Sequence, residues 1–289
     1  MSTIAAAPPR SEARAARRER MWLLLRSPSF VIGLLVIVFW VFCAILGSRI
    51  TPFHPLFDQT SDVSQPPSSE HFFGTDRLGR DVFSRVLAGS RDILIVAPLA
   101  TLLSTILGTA LGLITGYFRG IADDMISRVI DAVLALPTIV LAVTVVAALG
   151  SRSTWAVTVI IAIVFAPIIA RTVRAAVLGE AQLDYVEAAG LRGERAYYVM
   201  FAEVLPNVMP PILVEATIRL GYAIFAVATL TFIGFGLQPP SADWAVQIAD
   251  NYAYIDQHWW TVLFPATAIA SLVVAVNLVS DTVQQVLER

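Results

Sequence analysis

The sequence predicts an all-α polytopic membrane protein with about six transmembrane helices, and three observations carry that prediction. Mean hydropathy is +0.72. Of 289 residues, 57% are hydrophobic and only 15% are charged, more apolar side chain than one soluble core of this size absorbs. The charges also leave uncharged runs between Arg26 and Arg49, Asp92 and Arg119, Asp131 and Arg152, Arg152 and Arg171, Arg219 and Asp243, and His258 and Asp281. Each run holds roughly 18 to 26 residues, enough for a helix to cross about 30 Å of hydrocarbon.

Taken in order, residues 1–26 form a basic tail with Arg10, Arg14, Arg17, Arg18, Arg20 and Arg26. It reads either as a segment lying along anionic headgroups or as a solvated topology signal. The apolar run that follows, residues 27–50, is too long for a signal-peptide h-region and has no clear small-residue cleavage site after it. It is the first transmembrane helix. Residues 51–91 make a loop with Pro52, Pro55, Pro66 and Pro67, then an interfacial helix capped by Asp76, with an apolar stripe of Val82, Phe83, Val86 and Leu87. Residues 92–289 hold the remaining five helices. The second span carries Gly108, Gly112 and Gly116 at four-residue spacing, one small face that lets another helix approach closely. Prolines 98, 137, 167, 210, 211 and 265 fall in or beside spans, where kinks serve either motion or ordinary packing.

Charge orients the bundle. The basic tail contrasts with residues 243–256, which hold Asp243, Asp250 and Asp256 but no Arg, so the N-terminus is expected in the cytoplasm and six spans return the C-terminus there. Residues 51–91 and 238–258 then face outward, although Arg77, Arg80, Arg85 and Arg91 run against the bias. The 178–206 loop faces inward. In the outer loop, Trp244, Tyr252, Tyr254, Trp259 and Trp260 read as a headgroup belt.

The inner loop has its own grammar. Asp184 followed by Glu187 has the spacing of a capping box, predicting a short helix from Tyr185 to about Arg192 that Gly190 or Gly193 stops. Ala188 and Ala189 give it a small face that can enter a partner's cleft, and Leu205-Pro206 restarts the chain toward the membrane, Pro being tolerated in a first helical turn. On these residues alone, a plain capped helix and a docking knob stand side by side.

The stretch EAAGLRGERAYYVMFAEVLP, Glu187 to Pro206, resembles the EAA loop of binding-protein-dependent ABC importer permeases. Further strings, FGTDRLGRDVFSRVL (Phe73 to Leu87), DYVEAA (Asp184 to Ala189), LPNVMPPILVEAT (Leu205 to Thr217) and GFGLQPPSADW (Gly234 to Trp244), are similar to the C-type permeases of dipeptide and oligopeptide importers. The resemblance covers nearly everything after the basic tail. It departs at Glu203, where the loop pattern has an apolar residue, and at Gly190, a flexible point in the helix. It implies a type I importer permease bundle in the cell membrane, forming half of a peptide translocation path with a B-type second permease subunit. It also implies two cytoplasmic ATPases gripping the loop through Asp184, Glu187, Ala188, Ala189, Gly193, Leu205 and Pro206, and an extracytoplasmic peptide-binding protein. Nickel chelates or another small solute are the alternative cargo.

The residues bound the chemistry as well. All twenty Lys+Arg residues are arginine, so no P-loop lysine exists, and ATP and Mg are expected on partner subunits rather than here. No catalytic residues, cofactor, metal site or nucleic-acid partner is expected. Cys43 stands alone, and His54, His71 and His258 lack ligand spacing. Glu215 and Arg219, one helical turn apart, form a local ion pair. An ion-coupled secondary transporter would show inverted repeats or intramembrane ion sites, and an intramembrane enzyme a nucleophile with its base. Neither pattern is evident.

Overall fold

The computed structural model describes residues 22–57, 62–150 and 153–287. The tail arginines 10, 14, 17, 18 and 20 lie outside them, as does Arg152. The described residues form helices with no named strand: α1 Pro28–Ile50, α2 Val82–Tyr117, α3 Ile121–Leu134, α4 Thr138–Leu149, α5 Thr154–Glu180, α6 Asp184–Leu191, α7 Ala196–Phe232, α8 Trp244–Asn251 and α9 Trp260–Leu287. Helices α1, α2, α5, α7 and α9 are each long and apolar enough to cross a membrane. The short α6 and α8 mark opposite ends of the bundle.

The third apolar run differs from the expected straight span. It is a pair, α3 and α4, bent by 94°. Pro137 lacks an N–H and disfavours helix in the residue before it, so the chain turns through Ala135 to Pro137. Alone, the 12 residues of α4 reach only ~18 Å. The amphipathic α3 is held to α5 instead: Arg174 donates from Nε and Nη2 to the two carboxylate oxygens of Asp123, both at 2.7 Å.

Nor is there a separate interfacial helix. Asp81, not Asp76, caps α2, accepting from the Ser84 N–H at 2.7 Å, and the helix runs unbroken for 36 residues. Val82, Val86 and Leu87 are buried inside the bundle rather than laid on its surface. Asp76 is spent on a buried clasp: it accepts the backbone N–H groups of Leu78 and Arg80 and pairs with Arg80 Nε at 2.7 Å and Arg85 Nε at 3.8 Å. Arg85 reaches on to the carbonyls of Pro55 and Ser241, so this clasp ties the loop before α2 to the loop before α8.

The middle of the bundle is a close parallel pair, α2 and α5. A Cβ on Gly108 would lie 2.6 Å from that of Ile169; on Gly112, 2.6 Å from that of Val173; on Gly116, 2.7 Å from that of Val177. Backbone contact at each turn makes a seam that only glycine permits. Helix α1 covers α2 and α9 from outside the pair, anchored where Trp40 Nε1 donates to Ser271 Oγ at 2.9 Å and its ring meets Trp244 edge-on.

Candidate functional site: the α6 loop

After α5 ends at Glu180, the chain turns at Ala181 and Gln182 and enters α6. The cap is not the expected box. Leu183 occupies the N-cap, Asp184 is already the first helical residue, and neither its side chain nor that of Glu187 makes a capping hydrogen bond. Both acids are exposed in the first turn, where carboxylates favour the positive end of a helix.

The far end is a Schellman motif. Gly193 takes φ +78°, its N–H donates to Gly190 O at 2.9 Å, and the Glu194 N–H donates to Ala189 O at 3.2 Å. Gly190 does not stop the helix; Gly193 does, because only there does the backbone become left-handed. Arg192 then folds onto Glu194 with Nε and Nη2 at 2.8 and 2.7 Å from one carboxylate oxygen.

Helix α6 has two faces. Val186 and Ala189, three apart, are buried in a cluster with Leu113, Val173, Val177, Val199 and Val204. Ala189 is fully buried, so its small side chain serves close approach to the bundle, correcting the expectation that it belongs to a partner-facing surface. Ala188 is half-buried at the edge. The outward face is Asp184, Glu187, Gly190 and Leu191, the last 84% exposed. Beside it, Gly193, Glu194, Arg195, Tyr197 and Tyr198 line an open hollow of about 430 Å³.

Tyr185 fastens the loop to its neighbours. Its hydroxyl donates to Glu180 Oε1 at 2.6 Å and accepts from Asn207 Nδ2 at 2.9 Å, joining the end of α5, α6 and α7. Burial, then the adjacent Glu180 carboxylate, push the phenol up to about 12. In the sequence Tyr185 is only the start of a short helix; its place next to Asp184, with no polar pattern of its own, gives no signal of a three-way clamp.

Leu205-Pro206 is likewise not where the helix starts. Helix α7 begins at Ala196, and residues Val199–Val204 are π-helical, with the Leu205 N–H reaching back to Met200 O. Pro206 has no N–H to offer the fourth carbonyl before it, which relaxes the ladder at this point. Val199, Met200, Val204, Val208 and Ile212 thereby face the α6 cluster. Farther along α7, Arg219 Nε donates to Glu215 Oε1 at 2.5 Å, a local pair within one helix.

The cluster under α6 is continuous with the glycine seam, since Val173 and Val177 belong to both. A displacement of α6 therefore bears on α2 and α5 without an intervening loop. Among the described residues, no group of three or more His, Cys, Asp or Glu could hold a metal ion.

Residues 108–289 match the family described as the inner membrane component of binding-protein-dependent transport systems. The chain is 38% identical over 267 residues to a putative peptide transport system permease protein of Brucella suis, covering 92% of this chain and 89% of the relative. It is 38% identical over 269 residues to the dipeptide transport system permease protein DppC of Escherichia coli, covering 91% and 89%. It is 34% identical over 280 residues to that organism's probable D,D-dipeptide transport system permease protein DdpC, covering 97% and 94%. In three dimensions it is similar to a chain of the MetNI methionine ABC transporter in inward-facing form. The TM-score is 0.57 at 20% identity, over 71% of this chain and 97% of that one.

Proposed function

We propose a function that starts from the family: this chain belongs to the inner membrane components of binding-protein-dependent transport systems, and within that family it serves peptide import. Relatives along nearly its whole length are named as peptide and dipeptide permeases, which supports the substrate class. The chain forms half of the translocation path beside a second, B-type permease subunit. An extracytoplasmic binding protein delivers peptide at the α8 end, and two ATPases holding ATP and Mg act at the α6 end. Both termini and α6 then lie in the cytoplasm, and the protein is a multi-pass component of the cell's inner membrane.

The observation that carries this reading is the two-faced α6. Its buried face, Val186 and Ala189, sits on the core that continues into the α2–α5 seam, while Asp184, Glu187 and Leu191 are left outward for a partner. Leu205 and Pro206 act from behind, through the π-turn that aligns α7 with α6. Closure of the ATPases on bound ATP displaces α6, and the packed seam passes the displacement to α2 and α5 as a rigid-body step between two arrangements. Hydrolysis and release reverse it.

Glu187→Arg and Gly193→Arg test the assignment. Both positions are exposed, but any side chain at Gly193, held at φ +78°, also strains the end of α6, so Glu187→Arg is the variant whose charge change acts on the partner contact before it acts on folding. The expected result is loss of ATPase co-purification and of labelled dipeptide uptake, with normal amounts of the permease in the membrane. Undiminished association and uptake by both variants would refute the coupling role.

A further inference from the structure

The outward arginines that run against the charge bias do not all have the same explanation. Arg80 and Arg85 are buried around Asp76, and the Arg77 guanidinium lies 4.0 Å over the ring of Tyr254. Arg49 and Arg91 are different. Both are exposed, and neither makes an ion pair or hydrogen bond among the described residues.

These two line one cleft of about 820 Å³ whose other walls are apolar, with Ile45 from α1, Pro98 from α2, Ile224 from α7 and Leu272 from α9. Their depths differ by about five residues of helical rise. The apolar window of α1 ends at Gly47, and Gly47 packs on Ala88 of antiparallel α2, where a Cβ would come within 3.1 Å of the Ala88 Cα. At 1.5 Å per residue, Arg49 stands ~3 Å to one side of that contact and Arg91 ~4.5 Å to the other. Arginine side chains are long enough to span that difference at the mouth of a cleft that descends toward the membrane interior.

We infer that this cleft holds an anionic phospholipid, its phosphate between Arg49 and Arg91 and an acyl chain along Pro98, Ile224 and Leu272. The guanidinium fork matches phosphate oxygens, and an unpaired cation at this depth gains most from a partner that brings net negative charge. The apolar walls suit a hydrocarbon chain and offer a peptide backbone no hydrogen bond. Binding depends only on the chain's lying in a membrane; under the orientation proposed above, the lipid belongs to the outer leaflet.

The test is native mass spectrometry of the detergent-purified transporter assembly, equilibrated with phosphatidylglycerol or with phosphatidylcholine of the same acyl chains. The wild type retains phosphatidylglycerol preferentially. The double variant Arg49→Gln/Arg91→Gln weakens retention about thirty-fold, the equivalent of ~1 kcal/mol from each arginine at an anionic surface. Ile45→Trp, an exposed position that narrows the cleft, also weakens it, whereas Arg119→Gln at the α6 end leaves it unchanged. Glycerol phosphate in large excess does not displace the lipid. Displacement by it would mean a bare anion site, and equal retention of both lipids, or full retention by the double variant, would overturn the inference. So would efficient cross-linking of Ile45→Cys to the second permease subunit, which would make the cleft a subunit interface.

Discussion

Filling one step of the glycine seam should separate α2 from α5 and destabilise the whole bundle. In Gly112→Val the new Cβ falls 2.6 Å from the Val173 Cβ and 2.8 Å from the Ala170 carbonyl oxygen, where ordinary contact begins at 3.4 Å. Neither neighbour yields by a rotamer change, because one is a β-carbon and the other is backbone. The helices must move apart by about 1 Å along a run that also includes Gly108 and Gly116, and overpacking of this kind costs ~1–3 kcal/mol. Two further methyl groups in a closed seam put the expected cost near the top of that range, a fall in Tm of about 6 °C or more. Gly179→Val is the matched control, since it places the same side chain in helix α5 with nothing within 4 Å. Helix propensity alone then predicts a change of only a few tenths of a kcal/mol in its favour. Thermal unfolding of the two detergent-purified variants, followed by the retained monodisperse fraction, measures the difference. Equal stability of Gly112→Val and wild type, or an equal loss in Gly179→Val, would refute the seam argument.

Two other outcomes follow from the local geometry. Gly193→Ala forces a left-handed Ala at the end of α6, costing ~1–2 kcal/mol, and the loss should show as faster amide exchange confined to residues 184–198, with Gly193→Asn milder; protection equal to wild type would remove the Schellman motif from the account. Asp243 caps α8 from a fully buried position, and burial, with nearby Asp92 adding to it, raises its carboxyl to about 7. The fold therefore keeps a proton that the unfolded chain releases, and stability falls as pH rises from about 4 to 7 and then levels, by up to ~4 kcal/mol. Asp243→Asn keeps an acceptor for the Ala245 N–H and should flatten that part of the thermal-stability profile; a profile that slopes the same way with Asn in place, or rises with pH in wild type, would contradict the assignment.

The spans were legible because a bilayer leaves a one-dimensional record: apolar run length decides whether a helix can cross. Charge runs located α1, α2, α5 and α9 and met only the last part of α7, and the end of α6 was readable to within Gly190 or Gly193 because a left-handed turn narrows the choice of residue. What the residues did not disclose depends on partners distant in sequence. Asp76 and Asp81 are equally good caps until Arg80 and Arg85 fold back on the first of them. An alanine pair reads the same whether it faces a partner or, like Ala189, its own core. The 94° turn at Pro137 escaped because Pro is tolerated within many membrane helices, and the Arg174–Asp123 and Arg171–Asp131 pairs that hold α3 against α5 join residues far apart in sequence. Tyr185 carries three-way bonding that no spacing rule announces.

Site-directed cross-linking addresses the central claim most directly. With Cys43, the chain's single and buried cysteine, replaced by Ser, new cysteines at Glu187, Leu191 and Ala189 would be paired with cysteines in the cleft of the ATPase in inside-out membrane vesicles. Positions 187 and 191 should cross-link rapidly, at a rate that changes when ATP is bound, while position 189, sealed in the core, stays unreactive. Labelling of position 187 by a membrane-impermeant thiol reagent added outside intact cells, or cross-linking at 189 as fast as at 187, would contradict the account.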